Sequence, residues 1–291
     1  MRVATDCSGL ETPLLALGHK LRIDFVHVFG CDCLRAAQRV SRTHFQPLHF
    51  YNDIYERDNY RAESCHLYVA GYPCTPFSAA GAQLGLDDER GSLMAAGLQY
   101  IDVKRPDIVI WENTDGLSSR FRNVLMDAIQ ILQHFGYYVK WEIMDTQDHG
   151  LPQRRKRMYL VAIKRLRFEL VFPPPLSHCI PLSAIVAPLP RAHWLALPPK
   201  TKRNRRANVI QQFATLFEQG VNVFDEMVIV DADASSEYSY SSVGKCMTLT
   251  RSRCASQGYW CSMRGGTLST QQMAMLQGIE PGWIDTEVGV Q

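Results

Sequence analysis

The 291-residue chain predicts an α/β fold: a doubly wound, mostly parallel sheet with a smaller irregular domain behind it. Three observations carry that expectation. Short apolar runs alternate with helical patterns over residues 1–165. The runs are apolar throughout, as strands covered on both faces are. From residue 166 both features give way to chain that is rich in proline and then in cations.

The elements follow in order. "RVATD" reads as a strand, and "TPLLALGHKL" as a helix opening with Thr12 as cap and Pro13 in its first turn. "FVHVFGCD" reads as a second strand and "CLRAAQRVSRTHF" as a second helix. "LYVAG", "DIVIWEN" and "YYVKWEIMD" continue the strands, with helical stretches near 91–104 and 120–135, and "RKRMYLVAIKR" adds one more strand. "FPPPLSHCIPLSAIVAPLPRAHWLALPPKTKRNRR" then ends in five cations within seven residues, and no clear alternation follows until about residue 262. "TLSTQQMAMLQGIEPGW" returns to a helical pattern, with Ser269 as its cap and Met273, Leu276 and Gln277 on consecutive turns.

A composition of 46% hydrophobic and 21% charged residues argues against disorder. The net charge is only +2, so affinity for a polyanion has to come from local clusters. The first residues lack the charged-then-apolar pattern of a secretion signal. No apolar run approaches the roughly 18 residues of a membrane span. The nine cysteines, an odd count, read as reduced thiols, which places the chain in a nucleus or a bacterial cytoplasm. They include no Cys-x-x-Cys pair, and no metal site is expected.

In a doubly wound sheet, ligands sit at the carboxyl ends of the strands, and four segments fall there. "DCSGLETP" follows the first strand, and Gly9 lets the backbone approach a bound molecule. Asp32 ends the second strand, where an acid can hydrogen-bond ribose hydroxyls. In "GYPCTPFS", Cys74 has Pro73 before it and Pro76 two residues after, so a stiffened loop presents a thiol at a strand end. In "WENT", Glu112 and Asn113 end an apolar strand, and a carboxyl buried there holds a proton near neutrality. "QRRKR" at 153–157 supplies cations that would lower the pKa of a nearby thiol.

Taken in that order behind a glycine-bearing first loop, "GYPCTPFS", "WENT" and "QRRKR" resemble the cytosine-C5 DNA methyltransferase family. The resemblance covers residues 1–165 and part of the carboxyl end. It implies a Rossmann-like fold that uses S-adenosylmethionine. Cys74 would add to C6 of a cytosine flipped out of double-stranded DNA. Glu112 would act at N3, while Arg155 and Arg157 steady the O2 edge and the loop. Cys7, Ser8, Gly9 and Leu10 match the family's cofactor loop, with Cys7 at its aromatic position and Glu11 at a glycine position. Asp32 matches the ribose-binding acid, and Cys33 stands where a residue packs on adenine. Asp53 and Ile54 match the adenine-edge pair, and Leu93 with Pro73 would line the methyl-donor pocket.

The resemblance also implies an organisation. Residues 1–165 form the catalytic, S-adenosylmethionine-binding domain, residues 166–262 a variable target-recognition region, and residues 263–291 a return to the catalytic domain. Gln272 stands where the family has Glu, and the family's final Asn-containing helix does not follow. The basic residues at 200–206, Arg251, Arg253 and Arg264 are expected to meet phosphates. The chain is expected to act as a monomer. A tRNA-methylating enzyme of the same chemistry is the alternative substrate reading, but that branch's Cys-Phe-Thr element is missing near "NTDGL". A catalytically weak nucleic-acid-binding relative is the other alternative.

Overall fold

A computed structural model of the chain describes residues 1–73, 91–165 and 167–283. Cys74 therefore lies outside the described residues. The chain divides into two compact units, one of Met1–Met144 with Lys156–Pro173, the other of Asp145–Arg155 with Pro174–Gln291. These cuts differ from the boundaries expected at 165/166 and 262/263: the segment Asp145–Arg155 groups with the later chain, and so does the region after 262.

The first unit is built on a seven-stranded sheet in the order β3-β2-β1-β4-β5-β7-β6. Its strands are β1 (Arg2–Asp6), β2 (Val26–Cys31), β3 (His49–Tyr51), β4 (Leu67–Ala70), β5 (Ile108–Thr114), β6 (Tyr138–Asp145) and β7 (Lys156–Ile163). The pairs β1–β2, β1–β4, β2–β3 and β4–β5 are parallel, and β5–β7 is antiparallel. The order reverses between β1 and β4, which makes their carboxyl ends the topological switch point.

Both faces of this sheet are covered, which is why β4 is buried at all four positions. On one face Val3, Leu67 and Val69 pack with Leu14 and Leu17. Leu14 belongs to the short helix α1 (Thr12–Leu15), and Leu17 to the wider turn that continues it. On the other face Tyr68, Val109 and Trp111 pack with Tyr100 and Ile101 of α3 (Gly91–Lys104) and Leu125 of α5 (Arg122–His134). Helix α2 (Arg35–Val40) follows β2, and α4 (Gly116–Ser119) follows β5. The residue that caps α1 is Glu11 in a left-handed conformation, so the expectation of a Thr12 cap is corrected.

The second unit is more regular than its sequence suggested. Its four-stranded sheet runs β11-β10-β8-β9, from β8 (Val228–Asp231), β9 (Ser241–Val243), β10 (Tyr259–Cys261) and β11 (Gly266–Thr267). The 16-residue helix α7 (Arg203–Glu218) lays Val209 and Leu216 on Val228, Val230 and Trp260. The short helices α6 (Leu182–Ile185) and α8 (Arg251–Ala255) precede and follow it in the chain. Helix α9 (Thr270–Met275) opens with a capping box: the Gln272 amide donates to Ser269 Oγ at 3.2 Å, and the Ser269 amide donates back to Gln272 Oε1 at 3.0 Å. Met273 and Leu276 are buried, as the helical spacing predicts.

No helix among the described residues is long and apolar enough to cross a membrane.

Candidate active site

The first loop runs from β1 into α1 with positive φ at every second residue: Cys7, Gly9 and Glu11. Two of these carry side chains, so the backbone is strained and something must hold it. The Gly9 amide donates to Asp32 Oδ2 at 3.0 Å, and the Leu34 amide donates to Asp32 Oδ1 at 2.8 Å. Each carboxylate oxygen of Asp32 thus accepts one amide and keeps lone pairs for another donor. A Cβ on Gly9 would meet no atom within 4 Å, so open space lies beside the loop. Glu11 turns inward and is fully buried, with its carboxyl accepting from Ser41 Oγ at 2.7 Å and Thr5 Oγ1 at 3.2 Å. Burial pushes this carboxyl up to about 7, although hydroxyl donors draw it back.

The remaining residues expected at a cofactor lie in the same unit. Ile54 is buried, and Asp53 Oδ1 accepts from the Tyr55 amide at 2.9 Å. Cys7 and Leu93 are half-buried against the main core, while Cys33 and Pro73 are exposed. Burial pushes the Cys7 thiol up, and Asp6 and Asp32 add to that, so this cysteine is a packing thiol rather than a reactive one. An acid with lone pairs left to accept, open space beside Gly9 and a buried isoleucine are the groups this loop offers to an adenosyl group.

The ends of β4 and β5 join this loop. A Cβ on Gly71 would lie 3.4 Å from the Cys7 carbonyl oxygen and 3.9 Å from Glu112 Oε2, so the first loop, the start of the Pro-Cys loop and Glu112 converge there. Strand alternation sends Glu112 and Asn113 to opposite faces. Asn113 is buried, and its Nδ2 donates to the Tyr72 carbonyl at 3.3 Å. Glu112 is less enclosed than expected: its side chain is 30% exposed and pairs with Arg157 Nε at 2.8 Å. The antiparallel register sets Arg157 opposite Thr114, two residues from Glu112, which brings the pair together. Arg155 belongs to the second unit, where its amide donates to Asp145 Oδ1 at 3.0 Å.

Sequence reasoning missed the buried network beneath the switch point. Arg57 Nη1 meets Asp6 Oδ1 at 2.5 Å, with both side chains fully buried. The guanidinium lies 4.9 Å from the ring centroids of both Phe29 and Tyr100. Tyr68 Oη donates to Asp6 Oδ2 at 2.5 Å and lies 3.1 Å from Tyr72 Oη. This chain leads from the residue before Cys7 to the residue before Pro73. In sequence, nothing local signals that rings from distant segments enclose Arg57. Glu11 did leave a signal, a carboxylate where a glycine was expected.

The second unit changes the reading of the basic residues. Arg205 bonds Asp233 at 2.8 Å, Arg253 bonds Asp231 at 2.9 Å, Arg206 donates to the Pro198 carbonyl at 2.8 Å and Arg264 to the Ala187 carbonyl at 2.6 Å. These four hold the fold of the unit instead of reaching outward. Lys200, Lys202, Arg203 and Arg251 are exposed. Tyr259 and Trp260 are core residues of β10. Among the described residues, no group of three or more His, Cys, Asp or Glu could hold a metal ion.

The family model described as C-5 cytosine-specific DNA methylase matches residues 6–283. The Type II methyltransferase M.NlaIV of Neisseria lactamica is 31% identical over 153 residues, which are 50% of this chain and 36% of that protein. The Type II methyltransferase M.HaeII of Haemophilus aegyptius is 32% identical over 184 residues, 61% of this chain and 56% of that one. The chain therefore spans about a third to about half of the length of these curated relatives. Among solved structures, a Spodoptera frugiperda DNMT2 variant aligns with a TM-score of 0.53 at 20% identity, covering 71% of this chain and 64% of that one. S. pombe Dnmt2 methyltransferase aligns at 0.52 with 17% identity, covering 68% and 64%. These likenesses establish the fold, an α/β Rossmann-like methyltransferase fold.

Proposed function

Because the chain belongs to the C-5 cytosine-specific DNA methylase family, we propose that it transfers a methyl group to C5 of cytosine in double-stranded DNA, with Cys74 as nucleophile. The observation that carries this reading is the meeting of the Asp32-anchored loop, the strand leading to Pro73 and the Glu112–Arg157 pair at one switch point. S-adenosylmethionine, when bound, supplies an electrophilic methyl group on a sulfonium. Asp32 would take the ribose hydroxyls, Asp53 and Ile54 the adenine edge, and Cys7, Ser8, Gly9, Leu10, Cys33, Pro73 and Leu93 the rest of the contact surface.

The chain's own residues would then act on the base. The Cys74 thiolate forms a bond to C6, and the electron pair displaced from the C5–C6 bond makes C5 nucleophilic. Glu112, held by Arg157, delivers or shares a proton at N3. After methylation the C5 proton leaves, the electron pair re-forms the ring double bond, and the C6–S bond breaks to return the thiolate. The target base must leave the duplex for a thiol to reach its face.

The test is methyl transfer from labelled S-adenosylmethionine to duplex DNA and, separately, to tRNA, with the product nucleoside identified. The expected product is 5-methylcytosine in DNA, lost in Cys74→Ser. Methylation confined to tRNA would replace the substrate, and full activity in Cys74→Ser would overturn the mechanism.

A further inference from the structure

The strain in the first loop raises a question that its cofactor role leaves open. A glycine adopts φ near +55° without penalty, yet this position holds a glutamate. A side chain in that conformation persists only where its surroundings over-determine it. At Glu11 they do so from four directions. Thr5 on β1 and Ser41 after α2 donate to its Oε1, His27 Nε2 on β2 lies 3.9 Å from the same oxygen, and Ser8 faces it from the loop. Thr5 Oγ1 also lies 3.0 Å from His27 Nε2, which ties the cluster together. A Cβ on Gly30 would come within 3.0 Å of Ser41 Oγ and 3.1 Å of the His27 ring, so the bare backbone there leaves room for the cluster.

The backbone of Glu11 carries both sides of the loop. Its amide donates to the Ser8 carbonyl at 2.8 Å, and its carbonyl accepts from the amides of Leu14 and Leu15 at the start of α1. We infer that Glu11 is a positioning residue for the cofactor loop, its buried carboxyl clamping residues 8–11 in the shape that binds S-adenosylmethionine. The inference rests on the reading of this loop as the cofactor loop.

A clamp made of a buried carboxyl is sensitive to pH. The groups facing Glu11 are Thr5, Ser8, His27, Ser41 and Asp32, and Asp32 repels a charge there. Burial pushes His27 down to about 4, so it is neutral at pH 7 and offers no countercharge. The neutral carboxyl, favoured up to about 7, fits this enclosure. Ionisation puts a second negative charge beneath the loop that Asp32 already supports, and the loop must open to hydrate it. Cofactor affinity should therefore fall as pH rises through about 7.

The experiment is calorimetric titration of the full chain with S-adenosylmethionine at pH 6 and pH 8.5, alongside hydrogen exchange of residues 7–11 in the ligand-free chain. In the unaltered chain the affinity should weaken at least about tenfold between the two pH values, the change that one unit of linked shift produces. In Glu11→Gln, an uncharged isostere, that drop should vanish, and the ligand's own titration cancels in the comparison. A Glu11→Gln profile identical to the unaltered chain would overturn the inference. If the unaltered chain binds no S-adenosylmethionine at either pH, the functional reading fails, and exchange decides this one. Loop amides that open at pH 8.5 only when Glu11 is present sustain it, and equal protection at both values overturns it. If Glu11→Gln does not fold, Ser41→Ala serves: it should loosen the loop at both pH values, and wild-type protection would contradict the clamp.

Discussion

At the residue scale, the carboxyl and guanidinium groups of the first unit do three different jobs, and burial separates them. Glu112 and Arg157 form a partly exposed pair, so removing it costs little stability, ~0–1 kcal/mol. Glu112→Gln should therefore leave the melting temperature nearly unchanged while methyl transfer falls by roughly 10²–10⁴; a large loss of stability with little loss of rate would reverse that assignment. Arg57 and Asp6 are fully buried, and Arg57→Met strands the Asp6 carboxylate. Denaturant unfolding should register a loss of about 3–5 kcal/mol. Glu11 is linked to pH. Its carboxyl is raised from 4.5 to about 7, so its contribution to stability is complete below pH 4.5 and is lost as pH rises through about 7. His27, lowered from 6.5 to about 4, works in the opposite sense, its contribution being present above pH 6.5 and lost as pH falls through about 4. The two slopes oppose each other between pH 4.5 and 6.5, and the stability difference between the unaltered chain and Glu11→Gln isolates the first. That difference should shift by roughly 3 kcal/mol against the unaltered chain between pH 4.5 and pH 8. Cys74 lies outside the described residues, while the positions of Asp32 and Glu112 at the carboxyl ends of β2 and β5 were legible because an apolar run that ends in an acid marks a strand end. Arg57 was not, because its ring enclosure is assembled from Phe29, Tyr51 and Tyr100, far apart in the chain.

At the element scale, α3 approaches β4 through a single missing side chain. A Cβ on Gly97 would lie 1.7 Å from Tyr72 Oη and 3.0 Å from Tyr68 Oη, both hydroxyls of the Asp6 network. Gly97→Ala should destabilise by about 1–3 kcal/mol through overpacking, and thermal melts should show part of the loss recovered when Tyr72→Phe is added. A fully tolerated Gly97→Ala would mean that the helix stands farther off. Helix α7 carries a second element-level prediction. Arg205 is tied to Asp233 and the carbonyls of Ser256 and Gln257, whereas Lys202 is exposed. Arg205→Ala should lower stability, whereas Lys202→Ala should flatten the salt dependence of DNA binding by about 0.9 in log–log slope if it meets a phosphate. Whereas the three-residue β3 is too short to show an apolar run, six of the seven strands of the first unit were legible because covered strands are largely apolar runs. Helix α7 was not, because "RNRR" at its start reads as a solvated charge run and its mean pattern is polar. The strands β8 to β11, two to four residues long, are too short to show a period.

At the scale of the whole molecule, the order β3-β2-β1-β4-β5-β7-β6 puts the first loop and the strand leading to Pro73 on either side of the switch between β1 and β4. The parallel architecture was legible from strand–helix alternation; the strand order was not, since pairing depends on helices that cover each face. The segment Asp145–Arg155 joins the later chain through bonds such as that between the Arg154 amide and the Cys246 carbonyl, a pairing that no local pattern in the sequence signals. The central claim is that this frame presents Cys74 to C6 of cytosine. The most direct measurement incubates the chain with S-adenosylmethionine and duplex DNA carrying 5-fluorocytosine. Fluorine cannot leave C5 as a proton does, so the thiol adduct should accumulate. The account predicts a denaturation-resistant protein–DNA complex that requires S-adenosylmethionine, maps by peptide analysis to Cys74 and is absent in Cys74→Ser. A chain that methylates cytosine at C5 but never forms the adduct, or forms it at another residue, would contradict it.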